Sequence, residues 1–249
     1  METKKYKGPS KIRKLYIAKL VARCLIMLFC FYLCFARPDQ FDLIYHFAGK
    51  FSVLHILWVI WMIDMFCQVI PVKDKIALGS QKLFKQRFLP IRNQINYEKL
   101  KNYIVSTTKS AYLIFIIWFV LIAAFGMLYY NGIVGEIFLV MACVVFYVCD
   151  LICVLIWCPF RLIMRNKCCT TCRIFNWDHL MMFTPLVYVH GIFARTLLLM
   201  SIAVWLLWEV SVMLYPERFW EFSNEALKCS SCTDKLCTQY CQKLRKNRQ

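Results

Sequence analysis

Glycine and proline are scarce in this chain, seven of each in 249 residues. That scarcity excludes low-complexity, collagen-like and linker-dominated organisation. Acidic residues are also few, 14 against 31 Lys and Arg. There is no phosphate-cradling Walker loop, dinucleotide fingerprint, metalloprotease helix motif or nucleophile elbow. No chemistry is therefore signalled by a linear motif, and the reading rests on hydropathy, charge placement and cysteine spacing.

Apolar residues are what the chain has in excess. They make up 61% of it, with a mean hydropathy of +0.54, against roughly 45–50% in soluble domains. The formal charge of +17 falls in blocks between apolar runs. That is how membrane proteins hold Lys and Arg on the cytoplasmic side. No nucleic-acid motif accompanies the charge, so no nucleic acid is expected as a partner. The lipid bilayer is.

Four runs have close to the roughly 20 residues needed to cross the hydrocarbon core. They lie near residues 15–36, 51–70, 111–130 and 137–157. Backbone groups there need internal partners, so helices are predicted. The first run follows a basic block and ends at Arg37-Pro38-Asp39. This predicts an uncleaved span entering from the cytoplasm. The segment 72–110 carries nine basic residues, and its Ile76, Leu83, Phe84 and Phe88 are spaced for an interfacial stripe. A solvated basic linker is the alternative there.

The last apolar region, 180–215, is too long for one span and short for two. Pro185, His190-Gly191 and Arg195 interrupt it. Asp64, Asp150 and Glu209 each lie six or seven residues from the expected cytoplasmic end of their run. At 1.5 Å per residue that is roughly 10 Å deep for all three. A hairpin over 180–194 and 196–215 is the arrangement that gives Glu209 this depth. The expected fold is thus an all-α, polytopic membrane helix bundle. It has six membrane-embedded segments, or five if 180–194 does not cross. Residues 1–215 form one transmembrane domain and 216–249 a Cys-rich basic tail. A bacterial-type inner membrane is expected, with the N-terminus and the C-terminal tail cytoplasmic.

Intramembrane carboxylates are costly and need partners or wet cavities. Asp64, Asp150 and Glu209 are therefore candidates for a cation or proton path, with Arg195 as a counter-charge. Cys67 shares a helix face with Asp64, and Cys153 with Asp150. The competing role is a set of buried contacts fixing helix register. His55 and His190 lie in apolar surroundings. Without regular pairing between spans, haem b is not expected.

Fifteen cysteines are present, and eight are clustered. Cys158, Cys168, Cys169 and Cys172 follow the fourth run. Cys229, Cys232, Cys237 and Cys241 form C-x2-C-x4-C-x3-C in the tail. Close thiols of this kind suit tetrahedral zinc or an iron–sulfur cluster. The gap is shorter than in two-knuckle zinc sites, and it departs from the ferredoxin run. Disulfides in an outward-facing tail, and lipidation of Cys158 or Cys168-Cys169, compete with metal. Asp178 is expected to cap a helix, with Asn176 and His179 as outer support for a metal site. The leading expectation is a membrane subunit of a redox or electron-transfer system, holding an iron–sulfur or zinc centre and working with other membrane or redox subunits. A cation or metal transporter and a structural or assembly subunit are the alternatives.

Overall fold

The computed structural model describes residues 11–38, 41, 52–70, 83–91, 95–165, 172–228 and 236. Among them the regular elements are all helical. The long ones are α1 (Lys11–Ala36), α2 (Val53–Val69), α3 (Tyr97–Tyr130), α4 (Glu136–Leu155) and α7 (Ile192–Leu214). Between α4 and α7 lie the short α5 (Phe160–Met164) and α6 (Asp178–Phe183). Four of the long helices are long and apolar enough to cross a membrane: α1, α3, α4 and α7. The fifth, α2, is equally apolar but has 17 residues.

The helices pack with their apolar residues on both sides. The inner face is a conventional core around Trp61, Leu139, Phe183, Leu186 and Phe193. The outer face is apolar too, with Leu25, Phe35, Phe119 and Leu199 largely exposed and Phe35 at 84%. A helix apolar on all sides belongs in lipid, where no penalty attaches to the outer face.

Two elements differ from the sequence reading. The segment 180–194 is not a regular spanning helix. It is the six-residue α6, followed by a 3-10 turn over Thr184–Tyr188 and then Gly191 at φ 126° before α7. Pro185 removes a helical N–H and the left-handed Gly191 breaks the helix, so the chain cannot run straight through. Among the described residues, four helices are long and apolar enough to span a membrane. The segment nevertheless runs along the bundle. Asp178 meets Gln68 of α2 at one end, and Tyr188 packs on Tyr129 and Tyr130 at the far end of α3.

The second difference is α3. It starts at Tyr97, with Asn96 capping it through Lys99 N–H. At 34 residues it spans roughly 51 Å, well beyond the roughly 30 Å of hydrocarbon. The stretch 97–110, the end of the segment expected to be an interfacial stripe or a basic linker, is thus the first turns of this helix. Leu83 and Phe84 also enter the core. Leu83 is buried, and the Phe84 ring lies 5.4 Å from that of Trp208 on α7. Ile76 lies outside the described residues.

The segment before α3 is joined to the segment after α7. Glu225 N–H donates to Leu89 O at 2.8 Å, Ile91 N–H to Ser223 O at 3.2 Å, and Leu89 N–H to Asn224 Oδ1. Asn224 is fully buried and fixes this junction. The chain after α7 and the α2–α3 connection therefore share one end of the bundle.

A tight approach at Gly126 sets the spacing between α3 and the turn carrying Tyr188. A Cβ on residue 126 would lie 2.4 Å from the Tyr188 ring. Tyr188 also donates to Ile122 O at 3.2 Å. Gly126→Ala is expected to displace that ring and lower stability by about 1–3 kcal/mol. Adding Tyr188→Ala should recover part of the loss, as measured by thermal unfolding in detergent. Simple additivity of the two changes would contradict the contact.

Candidate functional site

Charged side chains inside an apolar bundle need partners within reach, and here they are concentrated at one level. Arg23, within α1, is 8% exposed. Its Nη1 donates to Asp150 Oδ2 on α4 at 2.7 Å and to Tyr147 O at 2.7 Å. Its Nη2 donates to Asp64 Oδ2 on α2 at 3.0 Å. Tyr147 donates its hydroxyl to the same Asp64 oxygen at 2.9 Å, and the guanidinium lies 3.8 Å from the Tyr147 ring centre. One planar fork thus holds three helices. A lysine ammonium could not reproduce these separated, directed donors.

This network continues sideways. Gln68 Nε2 donates to Asp178 Oδ1 at 2.9 Å. Asp178 Oδ1 also accepts from His179 N–H and meets His179 Nδ1 at 2.8 Å. The expected cap is therefore a tether: α6 begins at Asp178 itself, and the carboxylate ties its first turn to α2. Between these groups and Lys19 is a polar cavity of about 30 Å³, enough for a water molecule. The Gln68 Oε1 atom on its wall is buried without a protein partner.

Glu209 forms a second centre. Arg173 grips it with two N–H donors, from Nε at 3.2 Å and from Nη2. Trp177 Nε1 donates to it at 2.6 Å. The remaining Arg173 Nη1 donates to Thr108 Oγ1 of α3. Arg173 and Glu209 are 8% and 9% exposed. Four residues, Ile174 to Trp177, lie between Arg173 and Asp178, and Trp177 bonds Glu209 while Asp178 bonds Gln68, so the two networks adjoin along this segment. The carboxylates do not form one ring; they occupy two neighbouring networks.

The other polar candidates have local partners. His55 Nδ1 accepts from Ser52 N–H at 3.0 Å and closes the N-terminus of α2 as a capping box. His190 is 84% exposed, 3.9 Å from Glu136 at the opposite end of the bundle. Arg195 is exposed on α7 and makes no ion pair with these carboxylates. The true counter-charges are Arg23 and Arg173. Neither stands out in the sequence: Arg23 is one charge within a long apolar run, and Arg173 is one of several basic residues in the segment after the fourth run.

The same end of the bundle carries the thiols. Cys149, Cys153, Cys158 and Cys172 line one apolar cavity of about 260 Å³, with Asp150 and Asp178 on its wall. Cys153 and Cys158 lie close enough for their side chains to interact. Among the described residues no three His, Cys, Asp or Glu side chains converge closely enough to hold a metal ion. Cys168, Cys169, Cys229, Cys232, Cys237 and Cys241 lie outside the described residues. One tail residue, Leu236, is described. It is 3% exposed and packs with Tyr16, Leu151, Val154 and Leu155, with Phe175 against the same cluster. Leu236 directly precedes Cys237, and Phe175 is three residues from Cys172. Leu236 therefore lies at the end of the bundle where Cys172 sits.

Comparison with protein-family models, with curated proteins and with solved structures found no match.

Proposed function

We propose that this is a membrane subunit of a redox or electron-transfer system, with a thiolate centre assembled from loop and tail cysteines together. Cys168, Cys169 and Cys172 would supply one side and Cys229, Cys232, Cys237 and Cys241 the other. Zinc or an iron–sulfur cluster suits such a set. The observation that carries this reading is the burial of Leu236 beside Phe175. Leu236 adjoins Cys237 in sequence and shares a cluster with Phe175, three residues from Cys172, which supports a joint site. The basic α2–α3 connection and the chain after α7 meet at that end as well. This supports a cytoplasmic orientation for it in a bacterial-type inner membrane, because Lys and Arg are retained there.

A cation path through Asp64, Asp150 and Glu209 has less support. Arg23 sits between the first two and Arg173 covers the third, so a passing cation would have to displace a guanidinium from each.

Protein purified anaerobically is expected to carry stoichiometric zinc, or iron with labile sulfide. Cys172→Ser and Cys237→Ser should each lower that content on their own, because a joint site needs both segments. Finding neither metal nor sulfide would falsify the centre. Loss confined to tail variants would replace the joint site with a tail site.

A further inference from the structure

We propose that the apolar cavity at the end of α4 is a quinone site, and that Cys153 and Cys158 are the dithiol that reduces a quinone bound there. The proposal rests on the redox reading above and names its membrane-side substrate class.

Three features of the cavity point to this ligand. The first is its lining. Trp118, Phe146 and Phe160 form an aromatic wall, with Trp118 4.8 Å from the Phe146 ring and 6.5 Å from that of Phe160. A flat apolar ring stacks against such groups. The volume of about 260 Å³ approaches the roughly 300 Å³ at which small-molecule pockets begin. The second is location. The cavity lies where α4 ends, between apolar helices whose outer faces suit lipid, so a membrane-dissolved ligand has the shortest route in. The third is a few polar groups in an apolar lining. Asp150 and Asp178 form the wall shared with the small cavity around Arg23, and Arg161 lines the cavity as well, giving the quinone oxygens polar groups to meet.

The dithiol is placed to react. Cys153 is on α4, and Cys158 is in the break between α4 and α5, just before Pro159. Both line the cavity and their side chains are within interaction range, so an S–S bond calls on movement in the non-helical stretch that carries Cys158. In the step, the two thiols give up two electrons and two protons and one S–S bond forms. The quinone takes up both electrons and both protons and leaves as hydroquinone. Atoms and electrons balance without a further reactant.

The test uses the full-length protein, reduced, freed of excess reductant and kept anaerobic in nanodiscs. Duroquinone is the probe, because its four methyl groups block thiol addition to the ring. The expected result is one equivalent of duroquinol, loss of two thiols per chain, and a Cys153–Cys158 disulfide found by peptide mass mapping. Cys153→Ser and Cys153→Ala are each expected to lower the rate at least a hundredfold, while Cys34→Ser leaves it unchanged. No reduction by the wild type, an undiminished rate in both Cys153 variants, or a disulfide mapped elsewhere would overturn the proposal. Metal content is measured on the same samples. A metal-bearing protein that leaves duroquinone untouched defeats this inference and spares the thiolate centre. A metal-free protein that still forms the Cys153–Cys158 bond does the reverse.

Discussion

Arg23→Met is expected to be the most destructive single substitution in the chain. It removes the only cation bonded to Asp64 and Asp150 among the described residues and leaves two carboxylates facing each other in an apolar bundle. Removing one partner of a buried ion pair costs about 3–5 kcal/mol, and here one arginine serves two carboxylates. The expected outcome is loss of monodisperse protein on size-exclusion chromatography, or a large fall in thermal midpoint. Arg23→Lys should fare only partly better, because an ammonium cannot also hold Tyr147 O in the same geometry. The triple variant Arg23→Met, Asp64→Asn, Asp150→Asn removes all three charges together. It should recover much of the lost stability, because uncompensated charge causes the damage. Equal instability of the single and triple variants would show that shape at Arg23, rather than charge, holds the three helices.

Arg173→Met is the second large expectation. It strips Glu209 of both guanidinium bonds and leaves the Trp177 indole as its remaining bonded donor. The cost is again about 3–5 kcal/mol, but its consequence is more local. Arg173 fastens the segment that follows the loop cysteines to α7 through Glu209 and to α3 through Thr108. Releasing it should expose Cys172, which is 6% exposed in the intact protein. Maleimide labelling of Cys172 should accelerate at least tenfold at temperatures where the bundle is still folded. Glu209→Gln keeps an acceptor for Trp177 yet strands the guanidinium, so it should produce the same acceleration. Unchanged labelling in both variants would mean that other contacts hold the segment.

Much of this architecture was legible as sequence. The apolar runs located α1, α2, α4 and the membrane part of α3, because lipid imposes a length and a composition on each. Asp64 and Asp150 were legible as a pair, since both interrupt apolar helices at one depth. Three things were hidden. Arg23 was absorbed into an apolar run, where one charge scarcely changes the average. Arg173 looked like a topology-setting loop charge, because nothing local reveals that its partner lies on α7. The polar start of α3 carries no hydropathy signal at all; its helix is set by the Asn96 cap and by continuity with the apolar turns that follow. The 178–190 segment was ambiguous for a physical reason. Pro185 and Gly191 prevent a regular helix, while Gln68 of α2 bonds Asp178 and Trp118 of α3 bonds Thr184 to hold it in place.

The junction between Leu89–Ile91 and Ser223–Glu225 has a consequence for chain continuity. It joins the connection before α3 to the stretch after α7, and Arg173 and Tyr188 bind the last third of the chain to α7 and α3. A backbone cut between α5 and Cys172 would sever no element among the described residues. Two separately translated pieces, 1–165 and 166–249, therefore carry complementary surfaces and should reassemble as a split protein.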